Sequence, residues 1–298
     1  MIRPLIDTPI GANLVPAEDL ARLVATELGV GPISLVRSSM NAIYAAGEVI
    51  IRVGHATVDP IVSIGAAQRL SAIGVEAPRP WCERSWSSAD LGATAWHRID
   101  IDTTREPDWH EVGRQIRVLH SVDVASFGGG HPLPNASTFS WWDIPKVISE
   151  HRTMNQADRN TILSAWERLG WVRDRSTDAV ICHGDLHPGN VVVDRTSGRT
   201  VILDWDLLCM SDPLWDHAPM MRWAERWGGR TGDYERFAAG YGRSFRHDEN
   251  AESTAELRLL VATVMRVLAA EVDPRAEVEA QRRLGYWTGT NQETWNAV

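Results

Sequence analysis

Four polar residues in one stretch of the chain have the types and the spacing of a site for phosphoryl transfer. They are His183, Asp185, Asn190 and Asp204. This chemistry needs little covalent help from a protein, because one carboxylate orients and deprotonates the attacking hydroxyl while metal ions neutralise the phosphate oxygens. Asp185 could be that base. Asn190 and Asp204 could supply the oxygen ligands that Mg²⁺ prefers.

The segment between Asn190 and Asp204 explains how the two metal ligands could meet. Residues 190–194 and 200–204 are apolar, β-rich runs, and a glycine-containing turn at 195–199 separates them, which predicts a β-hairpin. Because a strand rises by roughly 3.3 Å per residue, such a hairpin returns the end of its second strand beside the start of its first. The hairpin would bring both oxygen ligands to one edge.

The sequence HGDLHPGN, followed by ILDWD, resembles the aminoglycoside phosphotransferase and choline-kinase-like family of small-molecule kinases. The resemblance implies that His183 opens the catalytic loop, that Asp185 is the base, and that Asn190 and Asp204 hold Mg²⁺. Trp205 stands where protein kinases carry the Phe of D-F-G. The implied fold is α+β and protein-kinase-like, with a small β-rich N-lobe and a larger, mostly helical C-lobe.

Hydrophobic periodicity along the chain is consistent with two such lobes. Strands are predicted at residues 33–37, 42–46, 48–53 and 92–99. Helices are predicted at residues 16–28, 58–73, 109–120, 143–151, 157–170, 213–227, 233–245 and 255–271. The glycine-rich segment 127–131 is predicted to be a flexible connection. We therefore expect an N-lobe over residues 1–98 and a C-lobe over residues 99–298.

The N-lobe should supply a cation for the phosphates, and here the sequence departs from the protein-kinase pattern. It lacks G-x-G-x-x-G, so the polar turn at Ser38 and Ser39 is the predicted phosphate contact. The only lysine is Lys146, in the C-lobe, and Arg52 takes the place of the strand lysine. Arginine is a fixed, fork-shaped charge and is not equivalent to lysine. An ordinary hairpin turn and a structural ion pair are the respective alternatives.

Two further positions differ from the protein-kinase pattern. The glutamate that usually pairs with the N-lobe cation is not evident, because its position falls near Ser63, and Gln68 could be only a neutral partner. His187 stands where protein kinases often have lysine. It could contact phosphate or only support the loop.

Composition limits the classes of function. The net charge of −9 disfavours nucleic-acid binding, which usually depends on clustered Lys and Arg; it suits a cationic acceptor and equally suits plain solubility. There is no apolar run near 18 residues and no signal peptide is visible, so we expect a cytoplasmic protein without membrane contact. The three cysteines, at positions 82, 182 and 209, lack the spacing of a disulfide framework or a zinc site.

The segment after Asp204 narrows the acceptor. Only ten residues separate Asp204 from Trp215, too few for a segment that docks a peptide, and no A-P-E motif follows. The resemblance implies an acceptor site among the C-lobe helices, with Asp206 and Asp216 as candidate substrate contacts. Asp216 could equally be a helix cap.

Together these features predict a Mg²⁺-dependent kinase that uses ATP or GTP to phosphorylate a hydroxyl group of a small molecule. The acceptor could be an aminoglycoside or other antibiotic, an amino sugar, or an amino alcohol. The alternative is a catalytically weak, kinase-like protein that binds a nucleotide or another ligand, because the N-lobe lacks the usual Lys and Glu. A monomer or homodimer, and a role in resistance or in metabolism, remain open.

Overall fold

The N-terminal part of the chain is built on a five-stranded antiparallel sheet. The computed structural model describes residues 2–6, 8–11, 13–127, 130–139, 143–152, 154–173, 175, 178–272 and 274–296. The strands run in the order β1-β2-β3-β5-β4. They are β1 (Ser34–Ser38), β2 (Ala42–Ala46), β3 (Val49–Gly54), β4 (Pro80–Ser88) and β5 (Leu91–His97).

Two helices pack on this sheet and close its core. Helix α1 (Leu14–Leu28) buries Leu20 and Val24 against strand residues such as Ile51, and Gly29 ends it in the left-handed conformation. Helix α2 (Ile61–Ala72) divides its buried residues between the sheet and the rest of the molecule. Helix α2 therefore links the sheet to the helical part.

The remainder of the described chain is mostly helical. Its helices are α3 (Trp109–His120), α4 (Val124–Phe127), α5 (Ile144–Glu150), α6 (Gln156–Leu169), α7 (Leu214–Arg226), α8 (Asp233–Tyr241), α9 (Glu249–Val272) and α10 (Glu277–Thr288). Two small antiparallel pairs lie among them: β6 (Val180–Cys182) with β9 (Cys209–Ser211), and β7 (Val191–Val193) with β8 (Thr200–Ile202). None of the helices in the described ranges combines the length and the apolar composition needed to cross a membrane.

The small sheet and the larger helical part agree with the predicted fold, and most of the predicted elements are present. Strands β4 and β9 and helices α4 and α10 were not predicted. The expected boundary at residues 98 and 99 lies in the connection between β5 and α3. Within the predicted flexible connection, residues 128 and 129 lie outside the described ranges.

Candidate active site

The predicted catalytic loop begins where β6 ends, and one carboxylate accepts hydrogen bonds from its backbone. The backbone N–H groups of His183 and Gly184 donate to the two oxygens of Asp216, at 2.8 and 3.0 Å. Gly184 has φ +88°, and a Cβ atom there would lie 2.0 Å from the Leu207 carbonyl oxygen. The loop therefore needs glycine at this position.

Asp216 itself is fully buried in α7. Its carboxylate also accepts a hydrogen bond from His120 Nε2 at 3.1 Å. Burial alone would raise the pKa of Asp216, but the hydrogen bonds from His120 and from the loop outweigh it and lower that pKa. The structure thus corrects the prediction of a substrate contact: Asp216 anchors the loop from the protein interior.

His120, Cys182 and Asp216 together resemble a set of metal ligands, since their ligand atoms lie within 4.8 Å of one another. Burial raises the pKa of the Cys182 thiol well above its ordinary value, so the thiolate that a metal would need is disfavoured. The Asp216 oxygens are already engaged by hydrogen bonds. This cluster fits a structural anchor better than a metal site.

His183 connects the catalytic loop to the segment that carries the second metal ligand. Its ring is buried and donates from Nε2 to the carbonyl oxygen of Leu203 at 2.8 Å, while Nδ1 accepts from the Asp185 N–H at 3.2 Å. The ring also packs on Trp205, with ring centroids 4.5 Å apart. His183 thus links the backbone at Leu203 and at Asp185 and packs on Trp205.

Asp185, the predicted base, has two basic neighbours. Arg258 of α9 donates from Nη2 to Asp185 Oδ1 at 2.8 Å and from Nη1 to the Gly184 carbonyl oxygen at 3.0 Å. His187 Nε2 lies 3.7 Å from Asp185 Oδ2, and its ring stacks on Trp223. One carboxylate oxygen is thus held by the guanidinium, and the other faces the imidazole.

These neighbours determine the ionisation of Asp185. Burial opposes ionisation, but the charges of His187 and Arg258 outweigh it and lower the pKa of Asp185. Burial also lowers the pKa of His187. His187 and Arg258 are thus the neighbours that favour the ionised form of the Asp185 carboxylate.

The predicted hairpin brings Asn190 and Asp204 together. Strands β7 and β8 pair with Val191 opposite Ile202, and the Leu203 N–H donates to the Asn190 carbonyl oxygen at 2.7 Å. Asp204 has φ +63°, a left-handed conformation that Asp adopts more readily than most residues. The two predicted metal ligands thus lie side by side at the open end of the hairpin.

The donor atoms present here fit a magnesium ion. Asn190 Nδ2 donates to the Asp185 carbonyl oxygen at 3.0 Å, which leaves Oδ1 as the atom available to a cation. Asn190 and Asp204 line the same cleft, and oxygen ligands suit Mg²⁺. The carboxylate of Asp204 also forms an ion pair with a cation on the sheet.

That cation is Arg52 on β3, which reaches two carboxylates. Its Nη2 lies 3.0 Å from Asp204 Oδ1 and also contacts Asp206 Oδ2. Asp206 is buried and accepts a further hydrogen bond from Asn41 Nδ2 at 2.9 Å. One oxygen of the Asp206 carboxylate is thus engaged by Arg52 and Asn41, and its contact with a substrate stays a prediction.

Helix α2 does not supply the missing partner of Arg52. Ser63 lines the cleft, and Gln68 is turned to Glu83, to which it donates at 2.8 Å. Among the residues that the structure describes, Asp204 and Asp206 are the carboxylates paired with Arg52. In this chain the cation on β3 thus pairs with carboxylates that follow β8, whereas in protein kinases it pairs with a helix glutamate.

The turn between β1 and β2 differs from its predicted role. Ser38 and Ser39 are exposed, and neither lines the cleft. The preceding residue, Arg37, does line it, with Nη2 3.7 Å from Asp204 Oδ2. Arg37 is thus better placed than the serines to meet a phosphate group.

Two cavities meet at this site. The larger is a cleft of about 860 Å³ between the sheet and the helical part, and Asn190 lies in its wall. The smaller has a volume of about 220 Å³ and contains Asp185. Asp204 and Asp206 line both cavities. The predicted base and a predicted metal ligand therefore lie on opposite sides of one junction.

Sequence reasoning missed three residues of this site. Arg258 lies among leucines in the helical run ELRLLV, and an arginine at such a position was the available signal of a buried partner. Asn41 belongs to the polar turn in which Ser38 and Ser39 were the predicted phosphate contacts. Arg37 carries no sequence signal beyond its position at the end of a strand.

Comparisons with known proteins identify the family of this chain. A model described as the phosphotransferase enzyme family matches residues 64–260, more than half of the chain. No curated protein matches the sequence.

Solved structures of low sequence identity share the fold over nearly the whole chain. A choline/ethanolamine kinase family protein from Mesorhizobium loti is 19% identical, with a TM-score of 0.64, and the match covers 93% of this chain and 95% of that chain. Spectinomycin phosphotransferase in complex with ADP and spectinomycin is 16% identical, with a TM-score of 0.64 and coverages of 91% and 93%. Amicoumacin kinase in complex with AMP-PNP and Ca²⁺ is 12% identical, with a TM-score of 0.67 and coverages of 96% and 98%.

These similarities confirm the protein-kinase-like fold with two lobes that the resemblance implied. The family model also spans both the catalytic loop and the segment that follows it. The chain belongs to the phosphotransferase enzyme family.

Proposed function

We propose that this protein transfers the terminal phosphoryl group of a Mg²⁺-bound nucleoside triphosphate to a hydroxyl group of a small molecule. The observation that carries the proposal is the junction of the two cavities. Asp185 lies in the smaller cavity, Asn190 in the larger, and Asp204 in both. A nucleotide in the cleft would thus present its phosphates to an acceptor held beside the base.

The residues of the chain have distinct tasks in this proposal. Asp185 orients the acceptor hydroxyl and takes its proton, and Arg258 keeps one oxygen of that carboxylate in place. Asn190 and Asp204 would hold Mg²⁺, which neutralises charge on the phosphate oxygens when it is bound. Arg52 and Arg37 supply fixed positive charge on the sheet side of the cleft. Residues 1–98 and 99–298 are the proposed lobes on either side.

The related structures support the reaction class and leave the acceptor open. Their nucleotides include ADP and AMP-PNP, and their acceptors include spectinomycin. The short segment after Asp204 supports a small molecule over a peptide. ATP and GTP both remain candidates for the donor.

The test combines nucleotide binding with transfer. The melting temperature of the protein should rise when Mg²⁺ and ATP or GTP are added, by mass action. Asp185→Asn should preserve that rise and lower transfer to an acceptor by about 10²-fold or more, because a base of this kind contributes that much. A protein with no nucleotide-dependent rise would instead be the alternative, a kinase-like protein that binds another ligand. Undiminished transfer by Asp185→Asn would remove Asp185 from the proposed mechanism.

A further inference from the structure

We propose that the acceptor is a small alcohol with an apolar flank and without a positively charged group. This inference rests on the proposed function and identifies the substrate class of the same site. It comes from the smaller cavity, which we name the acceptor pocket. The pocket is lined by Asp185, Asp204, Asp206, Arg258, Ile6, Met40, Phe139, Leu207, Val261, Ala262 and Met265.

The first argument for this acceptor comes from the charged residues that line the acceptor pocket. Each of the three carboxylates among its described lining residues already has an arginine partner. Asp185 is paired with Arg258 at 2.8 Å, Asp204 with Arg52 at 3.0 Å, and Asp206 with Arg52 as well. An ammonium group on the acceptor would therefore have to share each carboxylate with an arginine, and would gain less from it than from an unpaired carboxylate.

Arg258 adds a direct repulsion. Its guanidinium lies on the base itself, so a positive charge placed near the reacting hydroxyl would be close to a like charge in a partly buried site. The pocket thus disfavours an amine next to the hydroxyl group.

The second argument comes from the apolar residues that line the acceptor pocket. Beyond the four charged residues, all of its described lining residues are apolar. They come from five separate parts of the chain: the N-terminal segment, the β1–β2 turn, the segment at residue 139, the segment at residue 207, and α9. An apolar surface gains free energy when it is covered by an apolar group. The volume of about 220 Å³ limits that group to a small ring or a short chain.

The transfer balances without a further reactant. The acceptor oxygen forms a bond to the terminal phosphorus as the bond from that phosphorus to the bridging oxygen breaks. The hydroxyl proton passes to Asp185, and the nucleoside diphosphate leaves. An apolar flank takes no part in these steps and serves only to hold the hydroxyl beside the base.

The test uses the intact protein with Mg²⁺ and ATP or GTP and pairs of alcohols that differ by one amine. 3-Phenylpropan-1-ol paired with phenylalaninol is such a pair, and a panel would include alkyl alcohols with their amino analogues, choline and kanamycin. We expect kcat/KM for the uncharged member of a pair to exceed that of the amine by about tenfold or more, a difference of about 1.4 kcal/mol. Preference for the amines, equal turnover of both members or no turnover of any uncharged alcohol would each overturn the inference.

A matched pair of variants tests the location. Met265→Asp adds a carboxylate to the pocket wall at a side chain that is 37% exposed, and Val278→Asp makes a similar change on α10 at a side chain that is 72% exposed. Met265→Asp should reduce kcat/KM for the uncharged alcohol by about tenfold and narrow its advantage over the amine. Val278→Asp should change neither. Unchanged selectivity in Met265→Asp would contradict the assigned pocket.

The same experiment separates this inference from the proposed function. Nucleotide binding and transfer to an amine, with no transfer to uncharged alcohols, would reject the acceptor class and retain the kinase. Absence of nucleotide binding would reject the kinase itself.

Discussion

At the scale of single residues, the proposed base, Asp185, is defined by its neighbours as much as by its own carboxyl group. Arg258 holds Asp185 Oδ1 and the carbonyl oxygen of the preceding glycine at the same time. The loop backbone and the side chain of the base are thus fixed by one guanidinium. Arg258 acts through Asp185 and is a positioning residue.

A change at Arg258 should therefore alter the pH dependence of the reaction. In Arg258→Gln the pKa of Asp185 should rise, because burial still raises it and the cation that lowers it is gone. The acidic limb of kcat/KM should therefore move to higher pH. Arg168→Gln removes the same charge from a side chain that is 62% exposed, and it is the control. An unmoved acidic limb in Arg258→Gln would contradict this role.

Arg52 gives a second residue-scale prediction. Arg52→Met should lower the free energy of unfolding by about 3 kcal/mol, because it leaves the buried Asp206 carboxylate without its cation. Arg52→Lys should retain much of that stability but raise KM for the nucleotide, since lysine lacks the fork that can engage two acceptors. Denaturant unfolding and nucleotide KM measure the two effects.

The control for Arg52 is Arg84→Met on β4. That arginine pairs with Glu27 at 2.7 Å, but its side chain is 58% exposed, and exposed pairs contribute at most about 1 kcal/mol. Equal stability losses in the two methionine variants would argue against a special role for the pair between Arg52 and Asp206.

At the scale of elements, the catalytic loop depends on helix α7. Asp216→Ala should lower the free energy of unfolding by about 3 kcal/mol, because two buried backbone N–H groups lose their acceptor. The turnover number should also fall, since the loop that carries the base loses its anchor. Asp248→Ala, which removes a cap at the start of α9, should cost about 1 kcal/mol and spare turnover. Similar effects of both substitutions would contradict the anchor.

Elements with a local pattern could be predicted from the sequence, and others, such as β4 and α10, could not. The β7–β8 hairpin follows from two short apolar runs around a turn. Strand β4 is largely exposed at the sheet edge and therefore lacks an alternation of apolar and polar residues. Helix α10 buries Glu279 and Arg283 as an ion pair, so its inward face is not apolar.

The same limit applies to the site. The order and spacing of the loop residues predicted the base and the metal ligands, because these residues lie close together in sequence. The partners that complete the site are remote: Arg258 is 73 positions from Asp185, and Asn41 is 165 positions from Asp206. Such contacts depend on how the elements pack, which local patterns do not specify.

At the scale of the whole molecule, the sheet and the helical part meet at charged residues as well as apolar ones. Asn41 lies in the β1–β2 turn and Arg52 on β3, and both contact Asp206. The cleft proposed to hold the nucleotide lies between the same two parts. Any ligand that draws Arg52 towards it therefore acts on both parts of the molecule.

The sharing of Arg52 between Asp204 and Asp206 has a thermodynamic consequence. A nucleotide phosphate that attracts Arg52 weakens its hold on Asp204, and a metal ion at Asp204 frees Arg52 for phosphate. Each ligand should thus increase the affinity of the other, and by the same factor, because linkage is reciprocal. Calorimetric titrations of ATP with and without Mg²⁺ should show this coupling, and Arg52→Lys should reduce it. The ion pair would then act as a switch that favours arrival of the metal together with the nucleotide.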